Sequence, residues 1–172
     1  SNLGSSGIRK ISIMVSEKLH SSECKFQSSS FEEHLWVRVK LQGSDCLIIG
    51  CIYRSPSSDP HFSVEQLGLL LQEFAAQIPL TCIDIIAVKP HLITGDFNIP
   101  HIDWGLKLSH EPVTHFSHTF LEKIGDCYLT QHIKEPTRYR EGQAPSLLDL
   151  VLTNEEGMVS DLRHLAPLGN SD

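Results

Sequence analysis

The sequence has no stretch near the ~18 uninterrupted apolar residues that a membrane-spanning helix requires, so such a helix is excluded. It has no C-x-x-C pair, and its five cysteines are odd in number. A disulfide framework and a cysteine zinc site are therefore disfavoured, and a reducing compartment fits. It has no basic surplus: 14 Lys and Arg stand against 21 Asp and Glu, a formal net charge of −7. A general electrostatic clamp on nucleic acid expects the opposite sign. No internal repeat, low-complexity tract or secretory signal peptide is visible. What is present is an ordinary globular composition, 40% apolar and 20% charged over 172 residues, enough chain for one domain with a real core. Residues 1–7 read as a linker or cloning scar, and residues 8–172 as the domain.

Hydrophobic periodicity sets the expected elements. Residues 8–15 alternate as a strand, and the polar, Ser-rich residues 20–34 read as a loop. Residues 34–41 alternate again, with Leu35, Val37, Val39 and Leu41 on one side and Trp36, Arg38 and Lys40 on the other. A turn at 42–45 then leads into an apolar run at 46–53 that suits a strand covered on both faces. Ser63 and Gln66 form a capping box for a helix whose stripe runs from Val64 to Ile78, ended by Pro79. Apolar residues at 83–88 and a short strand at 92–94 follow. Phe116, Phe120, Leu121 and Ile124 mark a second helix, and residues 129–133, 147–152 and 158–165 are three further strands. This mixed order favours an α/β layered sandwich over a strictly parallel doubly wound sheet.

Three segments carry chemistry. In Gly95-Asp96-Phe97-Asn98 a strand ends on a carboxylate, with an amide two residues on. At the mouth of a sheet residues two apart point to the same side, so both would face one ligand, the Asp taking a proton or holding a metal and the Asn donating to a phosphate oxygen; the alternative is an Asx turn. Tyr53-Arg54 leave a buried strand together, which suits phosphate binding, although read alone they are an aromatic cap and a solvated Arg. Asp149 interrupts the apolar run Leu147–Leu152, so it either orients a partner such as a His or sits in water at a strand edge. His115 and His118, with His110 nearby, lack a carboxylate or Cys to complete a metal site and read as surface or capping residues. Trp36 and Trp104 read as packing residues.

These segments, with Glu135-Pro136-Thr137-Arg138 and the closing Gly169-Asn170-Ser171-Asp172, stand in one order. Over roughly residues 34–172 the chain resembles the endonuclease/exonuclease/phosphatase superfamily, and within it the endonuclease domain of non-LTR retrotransposons, which is linked to a reverse transcriptase. The resemblance implies a four-layer αββα sandwich, here without its N-terminal strands and C-terminal end. It implies hydrolysis of a phosphodiester with Mg²⁺, or Mn²⁺ in its place, nicking target DNA in the nucleus. Asp96 would activate or position water, Asn98 hold the scissile phosphate, Tyr53 contact it, and Asp149 orient a catalytic His. Asp172 would lie by the metal or that His. Arg54 and Arg138 would bind substrate, and Arg38, Lys40 and Arg140 are further cations able to hold DNA. The family's early Asn and metal-binding Glu, and the His after Ser171-Asp172, have no counterpart here. The alternatives are a related phosphoesterase acting on a lipid or nucleotide, and a non-catalytic remnant of the fold.

Overall fold

The computed structural model describes residues 11–25, 30–43, 45–76 and 89–165. The expected stretch at 83–88, the stop at Pro79 and Asp172 lie outside the described residues. The strands are β1 (Ser21–Cys24), β2 (His34–Lys40), β3 (Cys46–Tyr53), β4 (His91–Asp96), β5 (Ile102–Asp103), β6 (Leu108–Ser109), β7 (Thr130–Gln131) and β8 (Asp149–Thr153). The helices are α1 (Pro60–Ala76) and α2 (Phe116–Asp126). One six-stranded sheet has the order β1-β2-β3-β4-β8-β7, and β5 and β6 form a separate ribbon. Within the sheet only β3 and β4 run parallel, with α1 between them in the chain.

Helix α1 begins where Asp59 accepts the Phe62 N–H on its carboxylate at 2.7 Å and the Ser63 N–H on its carbonyl at 2.9 Å, with Pro60 at the first helical position. The expected capping box is therefore displaced. Ser63 is inside the first turn and buried, and Gln66 Oε1 instead accepts from Ser30 Oγ at 2.6 Å. The α1 stripe of Val64, Leu67, Leu70, Leu71 and Phe74 and the α2 residues Phe116, Phe120 and Ile124 form one core with Trp36, Ile52, Ile93, Leu150 and Leu152 of the sheet. Trp36 packs on Phe74 with ring centroids 4.2 Å apart and lies across from Gly50, where a Cβ would meet the indole at 2.3 Å. A glycine in this strand thus makes room for the largest core side chain.

The face assignment of β2 is more even than its alternation implies. Trp36 faces the helices, and Val37 and Val39 on the opposite face are buried as well. Two strands move. Residues 11–15 are irregular, whereas polar β1 forms inside the expected loop because it pairs antiparallel with β2 from Ser21↔Val39 to Cys24↔Trp36. After β8 the chain makes a 3₁₀ turn at Glu156–Met158, and residues 159–165 are irregular with Leu165 exposed, so the strand expected there is absent. The α/β class holds, and the described residues supply one sheet and one helix layer of the sandwich.

Candidate active site

Three side chains named from the sequence meet in one row. Tyr53 ends β3, Asp96 ends β4 and Asp149 opens β8, and the register pairs Tyr53 with Asp96 and Asp96 with Asp149. Directly paired residues project from the same face of a sheet, their Cβ atoms about 4.5–5.5 Å apart in an antiparallel pair. The row sits at the sheet's end, where the ladder closes through Arg54 N–H to Asp96 O at 2.8 Å and Phe97 N–H to Leu148 O at 2.9 Å. Asp149 is exposed at the first position of its strand, not enclosed within an apolar run.

The backbone around Asp96 is tightly specified. Gly95 has φ +151°, and a Cβ there would fall 1.7 Å from the Ile52 carbonyl oxygen, so only glycine lets β3 and β4 close at this point. Asn98 has φ +50°, and its N–H donates to Asp96 Oδ1 at 3.1 Å, the Asx turn weighed above. Its side-chain amide donates to the Arg54 carbonyl at 2.8 Å. Since the chain turns after Asp96, the strand rule that would aim Asp96 and Asn98 together no longer governs Asn98.

Arg54 corrects an expectation. It is 2% exposed, with Nε donating to Ser63 Oγ at 2.8 Å, Nη1 donating to the Asn98 carbonyl at 3.0 Å, and the guanidinium 5.3 Å from the Phe116 ring centroid. Its Nε and Nη1 are engaged inside the fold, and these contacts tie the β3 exit, α1, α2 and the Asn98 turn together. The cation cluster is divided too. Arg38 and Lys40 line a cleft with His20 and Lys89 at the other end of the sheet, since Lys40 pairs with Cys46 at the start of β3 and Tyr53 is its last residue. At ~3.3 Å per residue that is about 23 Å from the row. Arg138 is near enough for its charge to act on Asp96.

Burial, and then the charge of Asp149, raise the Asp96 carboxyl above its ordinary value; hydrogen bonds from Asn98 and the charge of Arg138 pull the other way. An oxygen-only donor pair under mutual repulsion suits a hard divalent cation, which would relieve that repulsion. Thr137, quoted within a motif but given no role from the sequence, accepts the N–H groups of Leu148 and Asp149 on Oγ1 at 3.1 and 3.0 Å and so sets the entry into β8. A second omission is a carboxylate beside the histidines: Glu111 lies 3.1 Å from His101 Nδ1, and His115 joins them. Glu111 directly follows His110 in the sequence, so the carboxylate was legible there; its contact with His101 was not.

The family model described as endonuclease–reverse transcriptase matches residues 47–172. Among solved structures, the endonuclease domain of TRAS1, a telomere-specific non-LTR retrotransposon, superposes with a TM-score of 0.50 at 12% identity, over 78% of this chain and 54% of that one. An endonuclease/exonuclease/phosphatase family protein from Bacteroides thetaiotaomicron gives 0.36 at 12% identity, over 80% of this chain and 49% of that one. The chain thus spans about half the length of the solved domains it matches. None of the curated protein sequences matches it.

Proposed function

This chain belongs to the endonuclease–reverse transcriptase family, and we propose that it carries part of the active site of a DNA-nicking phosphodiesterase. The row Tyr53–Asp96–Asp149 is the observation that supports this reading, because it lies wholly within the segment that the family model matches. Phosphodiester hydrolysis needs a nucleophile, neutralised charge at phosphorus and help for the leaving group.

Asp96, half-buried and kept more basic than a surface carboxylate, positions the attacking water and accepts its proton. Tyr53, its neighbour on β3, donates to a non-bridging phosphate oxygen. Asn98 contacts the phosphate by exchanging the Arg54 carbonyl for a phosphate oxygen, and until then its amide holds the turn. Asp149 orients a basic group from outside the described residues, and Arg138 adds positive charge beside the carboxylates. Mg²⁺, which Asp172 would help to hold from outside the described residues, would supply the charge that an acidic chain lacks; Mn²⁺ could replace it. The substrate is then DNA, met in the nucleus. Among the described residues no helix is long and apolar enough to cross a membrane.

Nicking of supercoiled plasmid tests this, with the chain and with a longer protein that completes the domain, in Mg²⁺ and in Mn²⁺. Nicking by the longer protein that disappears with Asp96→Ala supports the reading. Nicking that survives the substitution, or a folded longer protein that cuts nothing, overturns it.

A further inference from the structure

A second cluster of ligating side chains stands apart from the carboxylate row. His101 directly precedes β5, Glu111 follows β6 by two residues, and His115 caps α2. One ligand atom from each lies within 4.8 Å of the other two. His101 Nδ1 is 3.1 Å from Glu111 Oε1, and the His101 and His115 rings meet edge to face with centroids 4.7 Å apart. We propose that His101, Glu111 and His115 bind a divalent transition metal of the Zn²⁺ type, which clips the β5–β6 ribbon to the start of α2.

The donor chemistry separates this site from the carboxylate row. Two imidazoles and one carboxylate suit Zn²⁺ and its neighbours, whereas Mg²⁺ takes oxygen donors. Ligands at about 2.0–2.2 Å from a tetrahedral zinc lie about 3.3–3.6 Å from one another, so the cluster must contract by about an ångström. The side chains of His101 and Glu111 are 38% and 40% exposed, which leaves them free to make that movement. The same exposure leaves the fourth position to water.

Supporting contacts already hold the ligands. His118 Nε2–H donates to the Glu111 carbonyl at 2.8 Å. His115 Nδ1 lies 2.7 Å from Ser117 Oγ, which donates to Ser109 Oγ at 2.8 Å. His115 Nδ1 also accepts the Ser117 N–H at 3.3 Å as the cap of α2, so ligation through Nε2 requires the ring to shift its proton to Nδ1, where Ser117 Oγ can accept it. The ribbon end is anchored too, since Ile102 pairs with Ser109 and both are buried. One force opposes the site: the positive end of the α2 dipole. The Glu111 charge offsets it.

The test is calorimetric titration of the 172-residue chain with zinc chloride, paired with Co²⁺ absorption. One metal per chain is expected, with a cobalt spectrum of nitrogen and oxygen ligands and no thiolate charge-transfer band. Glu111→Gln and His101→Gln should each weaken binding about tenfold or more, and Zn²⁺ should raise the Tm of the parent but not of Glu111→Gln. Asp96→Ala should bind Zn²⁺ like the parent, which separates this site from the proposed active site. Glu111→Gln preserves size and can still accept from His101, so it reports on ligation even if His101→Gln fails to fold. No binding by the folded chain, binding unchanged in Glu111→Gln, or a thiolate band would overturn the proposal.

Discussion

Replacing Gly95 with alanine probes the packing that positions Asp96. The added Cβ would lie 1.7 Å from Ile52 O and 2.7 Å from Ile52 C, both backbone atoms that no rotamer change can move. β3 and β4 must separate by more than an ångström at the pair Ile52↔Gly95. Overpacking of this kind costs about 1–3 kcal/mol, and forcing a side chain to φ +151° costs about 1–3 kcal/mol more. A central value of about 4 kcal/mol is a large share of the ~5–15 kcal/mol that holds a domain together. For a chain of this size it lowers Tm by about 8–16 °C. Gly142→Ala is the control, because Gly142 has φ +75° but open space around its Cβ, so only the conformational cost of about 1–2 kcal/mol remains. Urea and thermal melts followed by circular dichroism measure both. If Gly95→Ala melts within about 2 °C of Gly142→Ala, the two strands do not approach as closely as described and the steric argument fails.

Asp96→Asn should abolish nicking by the completed domain yet stabilise the fold at neutral pH. The raised pKa means the folded state penalises the ionised form, so the parent gains stability as pH falls through the folded pKa, and the Asn variant has that gain at every pH. Its advantage should be largest above the folded pKa and vanish below the unfolded value; a pH series of denaturation midpoints showing the reverse slope would refute it. Thr137→Val removes the acceptor for two N–H groups and should cost about 1–2 kcal/mol in urea melts, with amide exchange at Leu148 and Asp149 accelerated. Arg54→Ala leaves the Asn98 carbonyl without this donor and the Ser63 hydroxyl with only its Pro60 contact, and should cost about 2–4 kcal/mol, read as a fall in the urea midpoint.

Much of this was legible in the residues. Alternation and the apolar run located β2 and β3, the 3.6-residue stripe located α1, and Tyr53, Asp96 and Asp149 carried a recognisable order before any register was known. What failed to show depended on partners distant in the chain. β1 has no apolar pattern and exists by pairing with β2. Arg54 reads as solvated because nothing local announces that a helix serine, a carbonyl and an aromatic ring will surround it. Residues 158–165 have a strand's composition but gain no neighbouring strand, so composition alone does not order them. The His101–Glu111–His115 contact needs the ribbon to fold back on α2, a relation no spacing rule encodes.

The position of β8 bears on when a newly made chain completes its carboxylate row. This strand lies between β4 and β7, yet it is the last of the described strands to be synthesised. Asp96 therefore emerges from the ribosome about fifty residues before the carboxylate it will stand beside. Until β8 inserts, β4 has an open edge and β7 has no place in the sheet, so the row is assembled at the close of folding. A chain interrupted after α2 and before residue 149 would keep β1 to β4 and both helices while lacking the paired carboxylates. Synthesis order thus withholds the paired carboxylates until nearly all of the described fold exists.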